Sequence, residues 1–155
     1  DEIALKQETQ LAPRRSAWRW PSIQRYGWVR ERDAPWLAAT YFDWLDASVP
    51  FTRATTSATG VALRVAPFDR PAIELERRKS APDLVRFEVV GGWLAHGPGA
   101  GTFEFAQTSE GAQVVLRDYR PALPRLLYFL TQAMVHAIVM WLFGRYLRRH
   151  ARGSP

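Results

Sequence analysis

Two periodicities divide this chain. From Val61 to Tyr119 apolar and polar residues alternate by two. Val61, Leu63 and Val65 alternate with Ala62 and Arg64, and Ile73 and Leu75 with Glu74 and Glu76. Val85, Phe87 and Val89 alternate with Arg86 and Glu88, Phe103 and Phe105 flank Glu104, and a last run extends from Val114 to Tyr119. Turn-forming stretches separate these runs at Pro67–Pro71, Ser80–Asp83, Gly91–Gly92, His96–Gly101 and Ser109–Gly111. Period-two segments bounded by Gly, Pro, Asp and Ser predict five strands, each with one apolar face, in an antiparallel meander with one wet side. Glu74, Glu76, Glu88 and Glu104 fall on the wet side, where Arg77, Arg86 and Arg117 are expected to pair with them across strands.

Helical spacing flanks the meander. Asp33 is placed to cap a helix with Pro35 in its first turn. Trp36, Leu37, Thr40, Tyr41, Trp44 and Leu45 then lie on one broad face of a helix that ends near Ala47, before Pro50. Upstream, Ile23 to Glu31 alternates loosely and Ile3 with Leu5 weakly, so a first strand is expected at one of these two places. From Leu126 to Gly144 the clearly polar residues are Thr131, Gln132 and His136 alone, and a helix apolar on nearly every side must be buried, paired or in lipid. A helix over 125–149 is roughly 37 Å long. It is the element long enough to cover the apolar face of the sheet.

These elements predict an α+β fold: a curved antiparallel sheet of five to seven strands wrapped around a long C-terminal helix, with a shorter helix near residues 34–47. Residues 1–20 read as an arm or first strand, 21–150 as one domain and 151–155 as a disordered tail.

Composition narrows the function classes. The 155 residues suit one domain, 47% of them apolar and 23% charged, and the chain contains no cysteine. Disulfides, thiolate metal sites and thiol nucleophiles are therefore excluded. The net charge of +6 comes almost entirely from arginine. The arginines are dispersed, with clusters at Arg14–Arg19, Arg77–Lys79 and Arg145–Arg149, and no recognition helix accompanies them, so nucleic acid is not expected as a partner. No apolar run leads the sequence, so no signal peptide is expected in it.

The order of elements, with Gly101-Thr-Phe-Glu-Phe105, Tyr119-Arg120-Pro121, Tyr128-Phe129 and an inner His136, resembles bacterial members of the START-like superfamily, also called SRPBCC or helix-grip. The resemblance spans residues 57–149. It implies a ligand cavity between sheet and C-terminal helix, and binding of a hydrophobic small molecule or lipid, in some members with chemistry on that ligand. The cavity would be lined by Phe87, Val89, Phe103, Phe105 and Leu116, together with Tyr128, Gln132 and His136 of the last helix. No cofactor is implied.

Tyr128, Gln132 and His136 recur at i, i+4 and i+8 as one narrow polar line. The line either converges on a ligand, as a few polar groups do in an apolar pocket, or is the solvent-facing stripe of the helix, the commoner use. A cyclase- or dehydratase-like enzyme would use His136 and Tyr128 as acid and base, with Asp118 as a carboxylate able to approach in space. His96, His136 and His150 are far apart in sequence, so no metal site is expected. The glycines at 97, 99 and 101 precede no helix and no Lys-Ser/Thr, so they form no phosphate loop. A cytoplasmic location is expected. The alternative is membrane association through 126–144, nineteen residues against a bilayer core of ~30 Å. Gln132 and His136 weigh against a full span. The excess apolar surface of this helix needs a cover, for which the Trp18/Trp20 arm, the Trp36–Trp44 helix, a second subunit in a homodimer, or a membrane surface are the candidates.

Overall fold

The computed structural model describes residues 22–119 and 134–151. The elements run β1 (Ser22–Tyr26), α1 (Ala34–Ser48), β2 (Thr52–Thr56), β3 (Gly60–Val65), β4 (Ile73–Ser80), β5 (Leu84–Gly91), β6 (Thr102–Thr108), β7 (Gly111–Arg117) and α2 (Met134–Ala151). The seven strands form one curled antiparallel sheet in the order β1-β7-β6-β5-β4-β3-β2. The fold is α+β, as the periodicities predict. The N-terminal arm, Tyr128, Gln132 and residues 152–155 lie outside the described residues.

The chain-reversing signals act where the sequence places them. The Asp33 carboxylate accepts the Trp36 N–H at 2.8 Å, capping α1 with proline in its first turn. Of the two first-strand candidates, the segment at Tyr26 pairs with β7, Tyr26 opposite Ala112. Strand β2 leaves no periodic signal because Thr52-Arg-Ala-Thr-Thr56 has no apolar alternation. It is an edge strand facing water. There the Ala54 N–H, which makes no bond to β3, donates to the Asp46 carboxylate at 2.9 Å, which blunts the edge against pairing with another chain.

On the convex side, Glu104 pairs with Arg86 at 2.9 Å and with Arg117 at 3.5 Å. The cation beside Glu76 and Glu88 is Arg78, not the Arg77 expected, because period two from Glu74 and Glu76 puts Arg78 on their side and Arg77 on the other. The register of β4 against β5 shifts between Arg77 and Lys79. One extra residue in a strand reverses the phase of its side chains, and such irregularities also bend a sheet.

The cover of the concave side differs from expectation. The fifteen-residue α1 itself lies along β2, β5 and β6. It projects Tyr41 and Phe42 onto the sheet. The Tyr41 ring lies 5.5 Å from both Phe103 and Phe105, and Phe42 lies 5.5 Å from Phe87. Helix α2 joins from the other side. Phe143 meets Tyr41 at 5.0 Å, Trp44 at 5.2 Å and Tyr26 at 5.9 Å. Gly144 permits that approach, since a Cβ there would stand 2.9 Å from the Tyr26 ring. The Tyr26 hydroxyl donates to the Met140 carbonyl at 3.0 Å and ties β1 to α2. Burial raises the pKa of both Tyr26 and Tyr41 well above the ordinary phenol range, so these hydroxyls stay neutral.

Candidate functional site

The residues expected to line a cavity are mostly packed. Phe87, Val89, Phe103 and Phe105 are buried, and Leu116 is partly buried at the end of β7. Phe103 and Phe105 touch at 4.8 Å, and Phe87 lies 6.1 Å from Phe105. Together they form the floor on which α1 rests. Between α1 and the sheet these rings meet Tyr41 and Phe42, because α1 brings its own aromatic face into the curl.

His136 falls on the inner line of α2. The sequence 136, 140, 143, 147 follows i, i+4, i+7, i+11, and Met140, Phe143 and Leu147 are all buried. The solvent-stripe reading therefore fails for His136. The ring is half-buried, and loss of hydration lowers its pKa below the usual imidazole value. A base with a depressed folded pKa binds its proton less readily than the unfolded chain does. Its full contribution to stability holds above the unfolded value of about 6.5 and is lost as pH falls through that value towards the folded one. Acidification from neutral should thus lower the thermal midpoint of the native chain more than that of His136→Gln, by calorimetry at matched ionic strength. Parallel decline in both would show that this ring does not contribute.

Asp118 does not join it. Asp118 is exposed with φ of 51°, a left-handed conformation that Asp tolerates better than most residues, and among the described residues no hydrogen bond or ion pair connects it to His136. The next residue, Tyr119, donates its hydroxyl to the Leu94 carbonyl at 2.8 Å, strapping the exit of β7 to the loop after β5.

Openings among the described residues lie elsewhere. The first is a shallow groove of about 700 Å³ at the α1–β2 turn, bordered by Asp46, Val49, Phe51, Arg53, Arg64 and Phe68. Phe51 and Phe68 are exposed there, and Phe68 meets Trp93 at 5.0 Å. The second is a slot of about 170 Å³ between α1 and the concave sheet, walled by Ala38, Ala39, Phe42, Val61, Val85 and Phe87, with Asp43 and Arg77 also on its lining. The Arg77 guanidinium stands 5.7 Å over the Phe87 ring and makes no ion pair among the described residues. Arg77 pairs in register with Phe87, which turns it to the concave side, while Arg78 takes the convex carboxylates. The sequence shows three cations in a row at 77–79. Period two from Ile73 and Leu75 turns Arg77 inward, and the register shift beyond it places Lys79 opposite Arg86.

No protein-family model, curated protein or solved structure matches the chain.

Proposed function

We propose that the protein binds a hydrophobic small molecule or lipid carrying an anionic head, on the concave side of its sheet. The slot beside α1 carries this reading. It has apolar walls from two layers of the fold, and on its lining, along with Asp43, stands Arg77, which forms no ion pair among the described residues and lies over an aromatic ring. An apolar pocket with a few placed polar groups is the usual form of a small-ligand site. The slot would take an alkyl or aryl portion, and Arg77 would take a carboxylate or phosphate, which guanidinium recognises with paired N–H donors. The helix-grip resemblance implies the same ligand class, with the site moved from the α2 side to the α1 side of the curl. A catalytic reading would rest on His136 with Tyr128, which lies outside the described residues, and Asp118 makes no bond to His136 among the described residues.

Titration calorimetry with a series of straight-chain carboxylates and the matching alcohols tests the proposal. Saturable binding of a carboxylate is expected, weakened roughly tenfold or more in Arg77→Gln through loss of a charge-assisted bond. The alcohol should bind both forms equally. Ala39→Leu, at a position open to solvent, should occlude the slot and weaken both ligands. Absence of saturable binding, or binding indifferent to both substitutions, would overturn the reading.

A further inference from the structure

Helix α2 presents two opposite faces. Met140, Phe143 and Leu147 point into the core. At about 100° per residue, Val135, Ile138, Trp141, Leu142, Arg145, Arg148 and Arg149 all fall within one arc on the other side. This outer face is apolar in its first half: Val135 is 57% exposed, Ile138 51%, Trp141 60% and Leu142 40%. Its second half is cationic, with Arg148, Arg149 and His150 in the last turn. The helix carries no acidic residue, and among the described residues none of the three arginines forms an ion pair.

The arginines instead lie over indoles. Arg145 stands 4.9 Å over Trp141, and Arg148 stands 4.6 Å over Trp28, itself 38% exposed. An indole with a guanidinium on its face is apolar on one side and wet on the other, as a membrane interface requires.

We propose that α2 seats the protein on an anionic bilayer surface, with Val135, Ile138, Trp141 and Leu142 in the acyl boundary and Arg145, Arg148 and Arg149 among the headgroup phosphates. The separation of apolar and cationic residues along the axis makes the helix lie obliquely. Val135 to Arg145 is about 15 Å of helix. An interfacial helix buries its apolar face only about 5–10 Å deep, so a tilt brings the first half in and leaves the arginines at the phosphates. Spanning is not required, and no described helix is long and apolar enough to cross a membrane. An anionic surface, rather than a second copy of the chain, is the occupant that supplies the missing negative charge. A partner α2 would add three more cations and no carboxylate. The inference stands apart from the slot at Arg77, which faces the concave side of the sheet.

The test is sedimentation of the full chain with vesicles of phosphatidylcholine alone and of phosphatidylcholine with about one-quarter phosphatidylglycerol, with Trp emission recorded. Binding is expected to the anionic vesicles, with a blue shift, at least about tenfold stronger than to the neutral ones. It should fall steeply between about 0.1 M and about 0.5 M salt. Ile138→Ser with Trp141→Ser should abolish it. Arg145→Glu with Arg149→Glu, at exposed positions that leave the core intact, should weaken it more than about tenfold, with an unchanged circular dichroism spectrum as control. Equal binding to both vesicles, binding to neither, or binding retained in both double variants would overturn the proposal. So would a dimer in vesicle-free buffer that Ile138→Ser dissolves, with no sedimentation on either vesicle.

Discussion

Phe143→Ala should unfold the protein at markedly lower denaturant than the native chain. Phe143 is fully buried and lies against Tyr26, Tyr41, Trp44 and Tyr146, so it joins β1, α1 and α2 at one point. Truncating a buried phenylalanine costs about 3–5 kcal/mol, from lost transfer energy and from the cavity left behind. The edge-to-face contacts with Tyr26 and Tyr41 place the site towards the upper end of that range. A domain of this size has about 5–15 kcal/mol in total, so much of its stability would go, with a midpoint lower by roughly 10 °C. Phe143→Leu, which keeps most of the volume, should lose less. Trp141→Ala, two residues away on the exposed face, should stay within about 1 kcal/mol. Urea melts followed by circular dichroism compare the three. Equal losses at 141 and 143 would mean that the two faces of α2 are not distinguished by the core.

Gly60→Ala should be nearly as damaging for a different reason. Gly60 pairs with Glu76, and a Cβ at residue 60 would stand 1.9 Å from the Leu75 carbonyl oxygen. That neighbour is backbone, so no rotamer change relieves the clash, and β3 must move away from β4. The same glycine closes the β2–β3 turn, where its N–H donates to the Ser57 hydroxyl at 3.2 Å and its carbonyl accepts the Ser57 N–H at 2.8 Å. Overpacking of this kind costs about 3 kcal/mol or more. Gly97→Ala is the useful contrast. Its space is open, but its φ of +77° is left-handed, so the cost there is about 1 kcal/mol of backbone strain. Thermal melts in which Gly60→Ala matched or exceeded Gly97→Ala in stability would show that β3 and β4 do not approach as described.

The two proposed activities divide the molecule between its inside and one outer face. The slot at Arg77 would hold the apolar part of an amphiphile, and the outer face of α2 would hold a surface rich in amphiphiles. Each has its own substitutions: Arg77 and Ala39 for the first, Ile138, Trp141, Arg145 and Arg149 for the second. Failure of one therefore leaves the other standing.

Much of the fold is legible in the sequence. Strands β3 to β7 follow from period-two alternation between turn residues, and α1 from the Asp33 cap, the proline after it and the aromatic face. Strand β2 was not legible, because an edge strand in water needs no apolar alternation. The inward turn of Arg77 was legible, since Ile73, Leu75 and Arg77 share one phase, whereas the outward turn of Lys79 was not, because the register shift between Arg77 and Lys79 reverses the phase there. The polar line through Tyr128, Gln132 and His136 was visible as a line, but only the burial of Met140, Phe143 and Leu147 assigns His136 to the inner face.

Local order came from the chain itself: which segments are strands or helices, where they start, and which face of each is apolar. Periodicity carries that information because neighbouring residues share one backbone geometry. The tertiary structure decided which apolar faces meet. It laid α1 on the sheet with Tyr41 and Phe42 against Phe87, Phe103 and Phe105, placed Arg77 on the lining of a slot, and left Val135, Ile138, Trp141 and Leu142 exposed. Burial of apolar area is non-directional, so one pattern of faces is compatible with several packings. Volume and close contact, read at Gly60, Gly144 and Phe143, select among them.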